Sequence, residues 1–138
     1  MILLDTNVVS EVMKSAPAKT VTDWLNSQDA ADLYLSVVTV AEITYGLRAL
    51  PDGKRQQSLE ATFEGLIADA FEGRVLAFDE TAARLYGQLM SDRKRQGCPM
   101  SIADGIIAAI ARAKAFALAT RNVRDFDGCG LEVIDPFV

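Results

Sequence analysis

Three acidic residues, Asp5, Glu42 and Asp104, stand at positions where a carboxylate needs a partner. Asp5 follows an apolar run that is typical of a buried strand, and Glu42 comes shortly after the next such run. Asp104 carries the only charge between residues 100 and 111, in a segment that otherwise belongs in a hydrophobic core. Carboxylates that meet repel one another, and a divalent cation held by their oxygens removes this repulsion. The pattern therefore predicts a metal site.

Each of these acids also has a simpler interpretation as a helix cap. Thr39 and Glu42 have the spacing of a capping box, in which a hydroxyl and a carboxylate satisfy each other's backbone N–H groups. Ser101 and Asp104 have the same spacing with a shorter acid, and Asp5 is a suitable N-cap for the helix that follows it. Capping and metal binding are compatible roles, and the sequence leaves both open.

The chain contains no histidine, which excludes several classes of catalytic site. A Ser-His-Asp triad, a Cys-His protease, a histidine zinc site and histidine acid–base catalysis are all ruled out. The net charge of -5 opposes a simple cationic nucleic-acid binder, because affinity for phosphates comes largely from Lys and Arg. A role with nucleic acid therefore requires a local basic surface or a bound metal ion.

The elements that must position these acids follow from runs of apolar residues. Short β-compatible runs predict five strands, at residues 2–4, 33–36, 75–78, 117–120 and 132–134. Helical patterns lie between them, at residues 8–14, 21–27, 40–50, 59–67, from 79 onward and 100–113. Strands apolar on both faces that alternate with helices predict an α/β fold, with helices on each side of a parallel sheet. Ligand sites in such sheets form where the strand order reverses, at the carboxyl ends.

The length of 138 residues predicts one domain that spans residues 1–138. The first carboxylate comes after only four residues, without the basic and apolar regions of a signal peptide. No apolar run approaches the roughly 20 residues that a membrane span needs. We therefore expect a cytoplasmic protein with no membrane partner.

Four segments of the sequence resemble the PIN-domain family, and more narrowly the VapC toxins of bacterial toxin–antitoxin pairs, including their FitB-like branch. The segments hold Asp5, Glu42, Asp104 and the late Thr-Arg-Asn motif, and they are residues 1–7, 36–46, 102–109 and 119–126. None of these motifs is specific alone, but the four occur in the family's order and spacing over nearly the whole chain.

The resemblance implies a three-layer α/β/α PIN-like domain built on a five-stranded parallel sheet. It implies an endoribonuclease that uses Mg²⁺ or Mn²⁺, with a VapB-type antitoxin as partner and a homodimer within the toxin–antitoxin complex. Asp5, Glu42 and Asp104 match the family's acidic positions and are its catalytic metal ligands. The mechanism that fits is hydrolysis of an RNA phosphodiester by metal-activated water, which leaves a 5′-phosphate and a 3′-hydroxyl.

The family's fourth acidic position differs in this chain. Asn122 stands where many relatives carry an acid, and other relatives have Asn there with an acid three residues later, as Asp125 is here. Both are candidate metal ligands, although Asn122 brings an amide oxygen without charge. Thr6, Asn7 and Thr120 are candidates to orient the ligand carboxylates or water, with local turn and cap bonding as the alternative.

Basic residues suggest where RNA could lie. Arg121 is a candidate for contact with a substrate phosphate, and the stretches 93–95 and 54–55 are the best candidates for an RNA-facing surface. A run of charges is more often a solvated helix end, and cations favour the helix C-terminus. The two stretches are therefore not assigned to the site.

Three other functions compete with a ribonuclease. A receiver-type phosphorylation switch usually needs adjacent acids early and a late Lys-Pro, whereas this chain has Asp5 alone and ends in Asp135 and Pro136. An Asp-x-Asp phosphatase needs an acid where Asn7 stands. A catalytically inactive PIN-like module that binds a partner or nucleic acid stays open because of Asn122. Metal titration with an RNA cleavage assay separates that module from the enzyme.

Overall fold

The computed structural model describes residues 1–138 and contains one sheet of five parallel strands. The strands are β1 (Ile2–Leu4), β2 (Leu33–Ser36), β3 (Val75–Leu76), β4 (Ala117–Ala119) and β5 (Val133–Ile134). Their spatial order is β3-β2-β1-β4-β5, and every neighbouring pair is parallel. The predicted five-stranded parallel sheet is confirmed. β1 and β2 have the predicted bounds, while β3 is two residues shorter and β4 and β5 one residue shorter.

Six helices connect and cover the strands. They are α1 (Thr6–Val12), α2 (Lys19–Asn26), α3 (Val37–Arg48), α4 (Lys54–Gly65), α5 (Glu80–Arg95) and α6 (Ile102–Lys114). A π-helical turn, Leu66–Ala70, continues α4, and short 3-10 turns lie at Ala30–Asp32 and Val123–Phe126. No helix is both long enough and apolar enough to cross a membrane.

The two faces of the sheet carry separate hydrophobic cores, which gives the predicted three layers. Successive strand residues point to opposite faces, so Leu4 packs with helices α1 to α4 and Leu3 packs with α5 and α6. Val8, Val9 and Phe63 fill the first core, and Ile107, Ile110 and Phe126 fill the second, together with the two strand leucines. Burial on both faces explains why the strands are apolar throughout.

The strand order reverses between β1, the central strand, and its neighbour β4. Asp5 directly follows β1 and Thr120 directly follows β4, so both residues stand at the switch point. The sheet bonding continues one residue beyond the strands, because Asp5 N donates to Ala119 O at 2.9 Å and Thr120 N to Ile134 O at 2.9 Å. The two side chains are therefore held in register by the backbone.

The N-termini of α1 and α6 have the predicted cap residues, whereas the N-cap of α3 differs from the prediction. Ser36, not Thr39, is the N-cap of α3: its hydroxyl accepts from Thr39 N at 3.3 Å. The Thr39–Glu42 capping box is therefore wrong, and Glu42 lies in the second turn of α3. Asp5 caps α1 through its bond from Thr6 N, and the Ser101 hydroxyl caps α6.

The placement of Asp104 also differs from the expectation of a core helix. Most of α6 is buried, from Gly105 to Ala111 with Ile106 partly covered, but its first turn projects out of the core. Ile102 is exposed and Asp104 is half-buried. The apolar pattern correctly predicted that the body of the helix is buried. It did not predict that the first turn of the helix lies at the edge of the sheet, where it is partly open to solvent.

Helices α5 and α6 pack closely at Gly105, where a residue with a Cβ atom would collide with side chains of α5. We expect Gly105→Ala to lower the free energy of unfolding, because the new Cβ would stand 2.5 Å from Met90 Sδ and 3.0 Å from Tyr86 Cε2. Overpacking of this kind costs about 1–3 kcal/mol. Gly87→Ala is the matched control, since a Cβ there meets no atom within 4 Å, and it should gain about 0.5–1 kcal/mol. Urea unfolding measures both; a gain in both variants would contradict close packing of the two helices.

Candidate active site

A polar cleft of about 360 Å³ opens at the carboxyl edge of the sheet, over the switch point. No hydrophobic residue lines it. Its lining comes from the segments that follow β1 and β4 and from helices α1, α3 and α6, and consists of Asp5, Thr6, Asn7, Ser10, Glu11, Lys14, Glu42, Asp104, Arg121 and Asn122. Parallel strands deliver their C-terminal residues to the same edge, which is why segments distant in sequence meet here.

Asp5 is buried, and both of its carboxylate oxygens accept hydrogen bonds. Its Oδ2 accepts from the Thr120 hydroxyl at 2.8 Å and from Asn7 Nδ2 at 3.4 Å, and its Oδ1 accepts from Thr6 N at 2.8 Å. Burial raises the pKa of the Asp5 carboxyl above its usual range, and the bonds from Thr120 and Thr6 partly offset this. The charges of Asp104 and Glu42 raise that pKa further.

Glu42 reaches the cleft from α3 and is tied to α1. The Thr6 hydroxyl donates to Glu42 Oε1 at 2.7 Å and lies 3.0 Å from the Thr39 hydroxyl. Thr6 therefore contacts two acids, since its backbone N–H bonds Asp5 and its side chain bonds Glu42. One residue thus sets the relative position of two carboxylates.

Asp104 enters from the first turn of α6. Its pKa is raised chiefly by partial burial, opposed by the Ser101 hydroxyl, and raised further by the charges of Asp125 and Glu42. The charge of Glu42 contributes to the raised pKa of both Asp5 and Asp104, and the charge of Asp104 also contributes to that of Asp5. The three acids therefore share one electrostatic environment, in which none of the nearby groups is a cation bonded to them.

The donor chemistry of the cleft suits a hard divalent cation. Carboxylate and amide oxygens are present and soft ligands are not, and after burial the charges of neighbouring acids raise the pKa of Asp5 and of Asp104. No three of the acidic residues stand close enough to ligate one ion together. Mg²⁺ commonly keeps several of its waters and is held by only one or two carboxylates, so this wider spacing fits it.

Of the two candidates for the fourth position, the structure brings Asn122 into the cleft. Asn122 N donates to the Thr120 hydroxyl at 3.0 Å, which fixes its backbone beside Asp5. Asp125 is exposed in the turn Val123–Phe126 and does not line the cleft, although its charge raises the pKa of Asp104.

Asn7 and Thr120 complete a network behind Asp5. Asn7 Nδ2 donates to the Thr120 hydroxyl at 3.2 Å, and Asn7 Oδ1 accepts from Arg121 N at 3.1 Å. All three residues predicted to orient the acids, Thr6, Asn7 and Thr120, are hydrogen-bonded within this cleft. Such bonds fix the direction of carboxylate lone pairs.

Sequence reasoning missed Glu11 and Lys14, which line the same cleft. Glu11 is four residues after Asn7, a spacing that places both on one face of a helix, so this signal was available. The basic stretch 93–95 was also misjudged in part. Arg93 is buried and donates to the backbone carbonyls of Asp125 and Asp127, so it holds the chain together and does not face RNA.

Fold and cleft together define an α/β/α protein with a carboxylate-rich site at its topological switch point. The chain belongs to the PIN-domain family, whose model matches residues 2–128. PIN-domain nucleases generally use divalent metal ions.

Named relatives are similar over almost the whole chain. The VapC ribonuclease Y4jK of Sinorhizobium fredii is 45% identical over 99% of this chain and 98% of its own length. The toxin FitB of Neisseria gonorrhoeae is 41% identical over 99% of each chain. The tRNA(fMet)-specific endonuclease VapC of Shigella flexneri is 31% identical over 93% of this chain and 91% of its own. Within the PIN family, this chain groups with the VapC and FitB proteins.

Solved structures give the same grouping. The crystal structure of FitAcB from Neisseria gonorrhoeae superposes with a TM-score of 0.93 at 41% identity and covers 99% of both chains. The DNA-bound VapBC of Salmonella typhimurium has a TM-score of 0.84 at 27% identity, covering 98% of this chain and 97% of that one. The predicted PIN-like fold is confirmed.

The Thr120 hydroxyl makes three bonds at the switch point, so its removal should be costly. We expect Thr120→Val to lower the free energy of unfolding by about 1–3 kcal/mol, because it leaves Asn122 N without its partner and Asp5 Oδ2 with only the longer bond from Asn7. The pKa of Asp5 should rise further, since the hydrogen bond from Thr120 lowers it in the wild type. Chemical denaturation and NMR titration of the Asp5 carboxyl measure the two effects.

Thr62→Val is the matched control for this change. Thr62 is exposed, and its hydroxyl bonds only the Ser58 carbonyl within α4. We expect a change within about 0.5 kcal/mol. Equal effects at both positions would contradict the special role of Thr120.

Proposed function

We propose that this protein is a Mg²⁺-dependent endoribonuclease that acts as the toxin of a VapBC-type toxin–antitoxin pair. The observation that carries the proposal is the cleft at the switch point, where Asp5, Glu42 and Asp104 share one polar environment without a bonded cation. Relatives named as VapC ribonuclease and tRNA-specific endonuclease support RNA as the substrate.

Asp5, Glu42 and Asp104 would hold the ion, one or two of them directly and the rest through its bound water, with the amide oxygen of Asn122 as a further ligand to the ion or its water. Asp125 is the weaker candidate, because it is exposed and acts on the cleft through its charge. When bound, Mg²⁺, or Mn²⁺ in its place, activates a water molecule and stabilises charge on the phosphoryl oxygens.

The chain's own residues contribute orientation. Thr6 fixes Asp5 relative to Glu42, while Thr120 and Asn7 hold the second oxygen of Asp5. Carboxylates held in this way need no rearrangement when a substrate arrives, which is the main benefit of preorganised polar groups. Water as the nucleophile agrees with the absence of histidine, and leaves a 5′-phosphate and a 3′-hydroxyl.

The partner that we propose is a VapB-type antitoxin. Solved relatives include FitAB and VapBC complexes, and both a FitAB structure and a VapBC structure among them contain DNA. The matched chains of two FitAB structures cover 99% and 100% of this chain, which supports a partner of the same kind. The homodimer within the complex stays a prediction.

We expect Asp5→Asn to abolish Mg²⁺-dependent cleavage, because a neutral amide replaces the most buried of the three acids. Gel assays on total tRNA and on an unstructured RNA, with Mg²⁺ titrated from zero, measure the activity. Asp69→Asn is the control, since Asp69 is exposed in the turn after α4 and its substitution removes the same charge. Cleavage by Asp5→Asn at the wild-type rate would refute the metal site. No cleavage by the wild-type protein would favour an inactive binding module.

The same variant should be more stable than the wild type when no metal is present. Folding raises the pKa of Asp5, so the folded state holds its proton more tightly than the unfolded state, and ionisation at neutral pH destabilises the fold. Asn caps a helix as well as Asp. In thermal unfolding with EDTA, the variant's advantage should shrink as pH falls through the raised pKa of Asp5, where the wild-type carboxyl becomes protonated. A lower melting temperature for the variant at every pH would contradict this.

A further inference from the structure

One wall of the cleft carries two cations that share a single buried carboxylate. Glu11 Oε1 lies 3.0 Å from Lys14 Nζ and 3.3 Å from an Arg121 Nη, and Glu11 Oε2 accepts from Ala18 N at 3.1 Å. The Glu11 side chain is only 6% exposed, whereas those of Lys14 and Arg121 are 59% and 52% exposed. The carboxylate is therefore behind the cations, and the cations face solvent.

Arg121 is also fixed by contacts other than this ion pair. Its guanidinium carbon lies 3.9 Å from the centre of the Phe137 ring, a cation–π contact. The Arg121 backbone N–H donates to Asn7 Oδ1. The preceding residue, Thr120, donates its hydroxyl hydrogen to Asp5 Oδ2. The guanidinium thus has a defined position relative to the acidic side of the cleft.

Both cations keep unused hydrogen-bond donors. A guanidinium has five N–H donors and an ammonium three, and each side chain bonds one acceptor, Glu11. Two positive charges against one negative charge leave this wall with a net positive charge. A solvent-facing, preorganised pair of this kind is suited to an anion with several oxygens.

We propose that Lys14 and Arg121 form a binding subsite for a phosphate of the RNA strand, next to the phosphate that is cut. The subsite rests on the proposed ribonuclease function. An RNA strand brings a phosphate at each nucleotide, so a phosphate held by the cations places a neighbouring one towards Asp5, Glu42 and Asp104 in the same cleft. The need for such a subsite is strong in a chain of net charge -5, which otherwise repels RNA.

The test is the salt dependence of RNA binding, measured by fluorescence anisotropy with a labelled single-stranded RNA in EDTA. For single strands, the slope of log affinity against log salt becomes shallower by about 0.7 for each phosphate that the protein no longer neutralises. We expect Arg121→Gln and Lys14→Gln each to reduce the slope by that amount and to weaken binding at low salt. Lys19→Gln and Arg84→Gln are the controls; both residues are exposed and pair with an acid on their own helix, and neither change should alter the slope.

A purely structural role for the two cations gives a different result. It would lower the melting temperature of Arg121→Gln and leave the salt slope unchanged, which would overturn the proposal. The Lys14 side chain is exposed and bonds only Glu11, three residues earlier in the chain. Lys14→Gln should therefore fold, and it keeps the test valid if Arg121→Gln does not fold. Equal slope changes in the control variants would also overturn it, because they indicate general surface attraction. Loss of antitoxin binding with unchanged RNA binding would assign the pair to a protein partner and overturn it as well.

This experiment is independent of cleavage, because no divalent metal is present. If the slope falls as expected but the wild-type protein cuts no RNA with Mg²⁺, the subsite holds and the proposed ribonuclease function fails. If the protein cuts RNA but the slope is unchanged, or the wild-type protein binds no RNA, the subsite fails.

Discussion

The carboxylate of Asp5 and its hydrogen bond from Thr120 are the interaction on which the rest of the site depends. A buried charge is costly unless donors surround it, and Thr120, Thr6 and Asn7 supply these donors at the junction of β1 and β4. The same residues then determine the rest of the cleft. Thr6 positions Glu42, and Asn7 positions the backbone of Arg121.

Helix capping and metal binding are not competing explanations in this fold. Parallel strands end at one edge of the sheet, and the helices that follow them begin there, so cap residues are gathered where a ligand site forms. Asp5 caps α1 through the oxygen that accepts from Thr6 N, while Thr120 and Asn7 direct the other oxygen, which is free of this capping role. Burial, and after it the charge of neighbouring acids, raises the pKa values of Asp5 and Asp104, so the fold carries a cost that a bound cation would relieve.

The cleft is electrostatically divided. Its acids come from the ends of β1 and the early turns of α3 and α6, whereas its cations, Lys14 and Arg121, are gathered around Glu11. This division lets a chain with an excess of acids present positive charge to a nucleic acid at one place. A protein with a net negative charge does not attract a nucleic acid over long distances. Cations grouped at one place on its surface have to provide the attraction at short range.

The sequence by itself determined the parallel sheet, the bounds of β1 and β2, and the gathering of Asp5, Glu42 and Asp104 in one cleft, because apolar runs and strand ends are local features. Tertiary structure alone decided that Asn122 rather than Asp125 lines the cleft and that Arg93 and Glu11 are buried, whereas the cap of α3 by Ser36 is a local contact with Thr39. The exposure of a long charged side chain depends on segments that pack on it from far along the chain. Arg93 meets carbonyls more than thirty residues away, and Glu11 pairs with Arg121 from far along the chain, so no local pattern could reveal that these two side chains are buried.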